Sequence, residues 1–273
     1  MSPFPRLAFV ALIGAVVACE RHEAPVTPPG PDILISIGAG TVAAPDSVGA
    51  GWARLRVEED GAGHILVIFR LAKTATDSDL KALLVALDTA VATPGTALAL
   101  GGPEIGDTGE VVVELTPGSY LFGCVSRGAQ GHRHVTMGEA KLLVVTEAPM
   151  NASHRAPPAA TQDVGMADFA YLTAERWAAG PHMLRVENRG RQEHQLRLVR
   201  LRPGSTLTDW MNAEDPDKVS TGVAGVARTG PGGVVYLPVD LSPGRYVAYC
   251  LISDPATRRA HVEMGMLREI LVE

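Results

Sequence analysis

The chain is short of several things, and each shortage narrows what it can do. Cysteine is scarce: Cys19, Cys124 and Cys250 are the only three in 273 residues, so any thiol chemistry rests on those positions. Aromatic residues make up only 5% of the chain, while 29 glycines and 20 prolines point to many turns and short strands. The net charge of −6 is mild, and no basic run or basic–aromatic interleaving occurs, which excludes nucleic acid as an expected partner. After the first residues no segment is apolar enough to cross a bilayer. Gly-x-Ser-x-Gly elbows, P-loops and zinc-protease motifs are absent, and with them the hydrolase readings.

What is present is a repeat. Gly51-Trp52-Ala53-Arg54-Leu55-Arg56-Val57-Glu58 returns as Gly180-Pro181-His182-Met183-Leu184-Arg185-Val186-Glu187. Leu115-Thr116-Pro117-Gly118-Ser119-Tyr120 followed by Cys124 returns as Leu241-Ser242-Pro243-Gly244-Arg245-Tyr246 followed by Cys250. His134-Val135-Thr136-Met137-Gly138 returns as His261-Val262-Glu263-Met264-Gly265. A unit of roughly 115–130 residues suits two domains of ordinary size. The expected division is 33–147 and 163–273, joined by a linker over 148–162.

Within each unit the pattern is strand, turn, strand. Val235, Leu237, Val239 and Leu241 alternate with other residues, as do Val111, Val113 and Leu115, and period two argues for half-buried strands. Pro-Gly then turns the chain. Tyr246, Ala248 and Cys250 fall on one face of the next strand, and Tyr120, Phe122 and Cys124 do the same in the first unit. Leu80, Leu83, Leu84 and Leu87 have helical spacing behind a Thr76–Asp79 capping box, and Thr206 to Trp210 repeats that signal over a shorter stretch. The expectation is all-β: two tandem Greek-key β-sandwiches, each with a short helical insertion.

The start reads as a targeting segment. Arg6 precedes a short apolar stretch, Leu7 to Val17, and Val16-Val17-Ala18-Cys19 resembles a bacterial lipobox. That resemblance implies a signal peptide over 1–18, lipidation of Cys19, a proline-rich tether over 19–32 and attachment to a membrane by the lipid. The protein is then expected in the cell envelope, on the periplasmic side or the cell surface.

The repeat also carries metal-ligand residue types in fixed order. In the second unit His194 opens a strand, Cys250 follows the Pro-Gly turn, and His261 and Met266 precede the last strand. This order resembles the cupredoxins, the type 1 blue copper proteins, over nearly all of the chain after the tether. The resemblance implies His194, Cys250 and His261 as equatorial copper ligands and Met266 as the axial one, with Met264 a weaker axial candidate. A soft thiolate, two imidazoles and a weak thioether suit copper that shuttles between two valences. In the first unit His64, Cys124 and His134 match, Met137 matches Met264, and Glu139 stands where Met266 does. A carboxylate there is a harder ligand and favours Cu(II) or Zn(II), so a second site is doubtful.

The gap from Cys250 to His261 is longer than usual for that family, and Ser253-Asp254-Pro255 must turn to bring His261 back. A Cys124–Cys250 disulfide would require the two strand ends to dock within about 7 Å. The histidines that feed catalytic sites in multicopper oxidases are absent beside Cys124 and Cys250, so an electron carrier or binding protein is expected rather than an enzyme. Arg258-Arg259, beside a copper histidine expected at the surface, offers either a docking patch for an acidic redox partner or a solvated loop. The alternative to copper is a metal-free scaffold that keeps the fold and binds a partner.

Overall fold

The computed structural model describes residues 32–38, 40–59, 63–89, 92–104, 108–147 and 156–273. The expected signal peptide, Cys19, nearly all of the tether and residues 148–155 of the linker lie outside these. The strands begin at once: Asp32 and Gln162, expected in the tether and linker, are the first residues of strands.

The first half contains β1 (Asp32–Gly38), β2 (Thr41–Ala43), β3 (Ser47–Gly49), β4 (Gly51–Glu59), β5 (Leu66–Leu71), α1 (Asp77–Asp88), β6 (Ala97–Ala99), β7 (Thr108–Leu115), β8 (Gly118–Cys124) and β9 (Ala140–Thr146). The second half contains β10 (Gln162–Ala167), β11 (Ala170–Leu172), β12 (Arg176–Trp177), β13 (Gly180–Asn188), β14 (His194–Leu201), α2 (Leu207–Asn212), β15 (Ser220–Thr229), β16 (Val234–Leu241), β17 (Gly244–Tyr249) and β18 (Leu267–Val272).

The pairings repeat. β1 runs parallel to β4, and β4 antiparallel to β7; likewise β10 is parallel to β13, and β13 antiparallel to β16. The facing sheets have the orders β3-β9-β8-β5-β6 and β12-β18-β17-β14-β15. Period-two burial sets the faces: Ile33, Ile35 and Ile37 point inward from β1 while Asp32, Leu34 and Ser36 face out. Tyr120, Phe122 and Cys124 are buried along β8, as are Tyr246 and Ala248 along β17 and Cys250 just past its end. The expected all-β sandwich architecture is therefore the observed one.

Both helices start as expected. Thr76 and Thr206 each accept from the backbone N–H three residues on, and Asp79 and Asp209 each accept from the cap residue's own N–H. After each Pro-Gly turn a buried tyrosine hydroxyl donates back to the strand just left. Tyr120 Oη reaches Thr116 O at 2.7 Å, and Tyr246 Oη reaches Ser242 O at 2.8 Å. Tyr246→Phe is expected to lower the stability by about 1 kcal/mol, read from a urea-unfolding midpoint, because one hydrogen bond is lost without a cavity.

The halves are not beads on a string. β16 pairs with β7 through Val235↔Val113 and Tyr236↔Val112, which joins the two sandwiches in one eight-stranded sheet, β11-β10-β13-β16-β7-β4-β1-β2. Trp52 packs edge-on against Tyr236 at 5.2 Å across this seam. A second seam runs from Ala99 to Glu104 along β15, with bonds from Gly230 N to Ala99 O, from Ala227 N to Gly102 O and from Glu104 N to Gly225 O. Gly225 is required there, since a Cβ would stand 2.7 Å from Glu104 O and 2.8 Å from Leu196 O.

Candidate metal centres

The second half assembles its cluster at the ends of two neighbouring strands. β13 ends at Asn188, a turn follows, and His194 opens β14, where its ring is fully buried. Cys250 closes the β17 segment beside it. The long excursion to His261 folds back on itself: Asp254 N donates to Arg259 O, Thr257 N to Asp254 Oδ1 at 2.6 Å, and Ser253 bridges Ala260. Arg258 takes φ +63° to make the reversal. His261 N then donates to Ile252 O at 2.8 Å, and Val262 N to Cys250 O, which anchors the returning chain against the cysteine. The Ser253–Asp254–Pro255 turn that the spacing demanded is present.

The donor atoms of His194, Cys250 and His261 lie within 4.8 Å of one another. Cys250 Sγ is 3.5 Å from His261 Nδ1, and the two Nδ1 atoms face each other at 3.1 Å. Their outer nitrogens settle their tautomers. His194 Nε2 is 3.1 Å from Asp168 Oδ1, an acceptor, so it carries the hydrogen. Gln192 Nε2 donates to Asp254 Oδ2, which turns the Gln192 amide oxygen toward His261 Nε2 at 3.1 Å, so that nitrogen carries a hydrogen as well. Both Nδ1 lone pairs therefore point inward at each other.

Burial, and then His194, depress the His261 pKa to about 4, and burial also lowers that of His194 against the pull of Asp168. Burial pushes the Cys250 thiol up to about 12. For Asp168, burial works upward, but the Gln192 and Arg191 N–H groups and His194 together hold the carboxyl below its ordinary value. Met266 is fully buried, with its N–H on His261 O and its carbonyl receiving the Cys250 N–H. Met264 instead lies at the rim, where Thr257 Oγ1 donates to its sulfur at 3.7 Å.

One expectation is overturned. His261 is completely buried, not a surface edge. Phe169, itself half-buried and at φ +63°, stands edge-on to its ring at 5.2 Å, and Gln192 covers the outer nitrogen. Arg259 lies 3.5 Å from Glu263, and Arg258 reaches back to Thr89 O.

The first half brings together His64, Cys124, His134 and Glu139, again within 4.8 Å. Glu139 Oε2 is 3.0 Å from both His64 Nδ1 and His134 Nδ1, and Cys124 Sγ is 3.5 and 3.6 Å from the same two atoms. Burial raises the Cys124 pKa. Met137 is 51% exposed, and Glu139 supplies a fourth donor to the cluster. His132 faces away and pairs with Asp88. Cys124 and Cys250 are both free thiols, each turned to its own histidines, and no disulfide joins them.

The partners Asp168, Gln192 and Phe169 were not foreseen. The only signal for them was position: Asp168-Phe169 sits in a strand-opening segment, and Gln192 lies in the turn before His194.

Compared with protein-family models and with curated proteins, the chain matches none. Solved structures overlap with it loosely. Dithionite-reduced auracyanin from Roseiflexus castenholzii is 21% identical over 41% of this chain and 94% of its own, with a TM-score of 0.29. The blue copper protein auracyanin A from Chloroflexus aurantiacus is 14% identical over 41% of this chain and 96% of its own, at 0.28. The copper-containing nitrite reductase of Thermus scotoductus is 12% identical over 89% of this chain and 61% of its own, at 0.23. The fold stands on the strand order and registers above, not on these overlaps.

Proposed function

We propose that the second half holds one copper ion at His194, Cys250 and His261, with Met266 as a weak fourth ligand, and that the protein is an electron carrier of the cell envelope. The observation that carries this reading is the pair of inward Nδ1 lone pairs at 3.1 Å beside a buried thiol. Two acceptors in contact repel, and a cation held by both lone pairs and the thiolate would turn that repulsion into bonding. Donors bonded to one metal at about 2.0–2.3 Å stand roughly 3.3–3.7 Å apart, close to the separations seen. Two imidazoles and a thiolate suit both copper valences, and the bound ion would supply reversible one-electron chemistry.

Burial favours carriage of electrons over donation of copper. All three donors are fully buried, so release of the ion requires Phe169 and Gln192 to move aside. Phe169 is then the part of the site that a redox partner would approach. Export and a lipid anchor at Cys19 belong to this proposal, supported by the sequence of the first 19 residues.

The test is a visible absorption spectrum during Cu(II) titration of the purified chain, with Cys250→Ser and Cys124→Ser beside it. An intense thiolate-to-copper band that survives in Cys124→Ser and vanishes in Cys250→Ser supports the proposal. A folded chain with no such band contradicts it. Gln192→Ala is expected to weaken copper binding by about 10–100-fold in a chelator competition, because His261 loses the partner that holds its tautomer and ring.

A further inference from the structure

The two clusters have nearly the same backbone, and one side chain separates them. Cys124 N donates to Glu139 O at 3.0 Å, as Cys250 N does to Met266 O at 3.3 Å. Glu139 N donates to His134 O at 3.0 Å, as Met266 N does to His261 O at 2.9 Å. A glycine with positive φ, Gly138 at +114° or Gly265 at +102°, precedes each. Both positions are buried, with Glu139 5% exposed and Met266 not at all.

That one exchange changes the formal charge of the donor set. Two neutral imidazoles, a thiolate and the Glu139 carboxylate sum to two negative charges, which a divalent ion cancels. Two imidazoles, a thiolate and a thioether sum to one, which Cu(I) cancels. Cu(I) at the Glu139 cluster would leave a net negative charge beside Cys124, which is wholly buried, and burying an unbalanced charge is costly. Arg133, next to His134, gives its guanidinium to Leu87 O and Val125 O, and its N–H to Asp88 Oδ1 at 2.8 Å. In the other half Asp168 accepts from His194 Nε2 at 3.1 Å and meets the exposed Arg191 at 3.5 Å.

The sulfur separations match a closed four-donor site, and the nitrogen–oxygen ones are shorter, at hydrogen-bond length. A tetrahedron with bonds of about 2.0–2.3 Å has edges of roughly 3.3–3.7 Å. The Nδ1–Oε2 separations are 3.0 Å, and the Sγ–Nδ1 separations 3.5 and 3.6 Å. A set of two nitrogens, one sulfur and one carboxylate oxygen, with no position left open, is one that zinc takes in structural sites.

We propose that the Glu139 cluster is a site for a divalent ion of fixed valence, zinc in the first instance, and that Glu139 against Met266 sorts the two centres by metal valence. This does not rest on copper at the second cluster.

The experiment is anaerobic incubation of the full chain with equimolar Zn(II) and Cu(I) under a reductant, followed by desalting and metal analysis. The expected result is one zinc per chain, kept in Cys250→Ser and lost in Cys124→Ser. Glu139→Gln, which keeps the shape and an oxygen donor but removes the charge, is expected to weaken zinc binding by more than about tenfold, the size of a substitution one layer further out. Glu139→Met is expected to exchange the zinc for Cu(I). Failure of copper to bind the second cluster would leave the zinc in Cys250→Ser untouched, so the two readings fail separately. Absence of zinc from folded wild type and Cys250→Ser, or an unchanged zinc affinity in folded Glu139→Gln, would overturn the proposal.

Discussion

Glu104→Gln is expected to raise the stability of the metal-free protein, relative to wild type, by up to about 3 kcal/mol above pH 7 and by almost nothing at pH 4. Glu104 lies on the seam between the halves, 4% exposed, with Gln195 Nε2 at 3.1 and 3.2 Å from its two oxygens. Arg197 Nε is 2.8 Å away but lacks hydrogen-bond alignment, so that contact is an ion pair without a well-formed bond. Burial outweighs Arg197 and raises the carboxyl pKa to about 7 from an ordinary 4.5. The folded state therefore holds a proton that the unfolded chain has released, and stability falls as pH rises from 4.5 to 7. A difference of about 2.5 pKa units corresponds to about 3 kcal/mol. His261 acts in the opposite sense: with its pKa depressed to about 4, the folded state refuses a proton the unfolded chain accepts, and stability falls as pH drops from 6.5 to 4. The two offset each other in wild type, so the quantity to measure is the difference between variant and wild-type urea-unfolding free energies across pH 4–8. A difference that does not grow with pH would show that Glu104 is ionised at no cost.

The second large effect concerns Cys250. In a Cys124→Ser background, copper at about a thousand times its dissociation constant is expected to stabilise the fold by about 4 kcal/mol, since only the folded chain assembles the site. For a chain of this size that is an upward shift in Tm on the order of 10 °C. Adding Cys250→Ser is expected to abolish most of the shift. The serine variant also carries its own cost of about 1–3 kcal/mol, because a hydroxyl replaces a thiol at a fully buried position. The readout is therefore the copper-induced shift in each protein by calorimetry, not the absolute Tm. A shift of equal size with and without Cys250 would place the copper elsewhere.

What the sequence made legible was local. The Thr76 and Thr206 caps, the alternation along β16, and the His–Cys–His order all depend on residues close in the chain or on the repeat itself. What it left unread joins distant residues. Asp168 meets His194 across 26 positions, Gln192 meets His261 across 69, and Glu104 meets Gln195 across 91. Nothing in the identity of a single polar residue announces such a partner. The burial of His261 went unread for the same reason: its flanking residues suit a surface loop, and Phe169, brought over by the turn after β10, covers the ring together with Gln192. The seam between the halves depends on β7 and β16 each offering an edge, which neither strand's pattern reveals alone.

The most direct test of the central claim is a spectroelectrochemical titration of the copper-loaded Cys124→Ser protein. The thiolate-to-copper band is expected to bleach with one electron per chain and to return fully on reoxidation, with the copper still bound. Loss of copper on reduction, or a band that does not bleach as a one-electron couple, would contradict it.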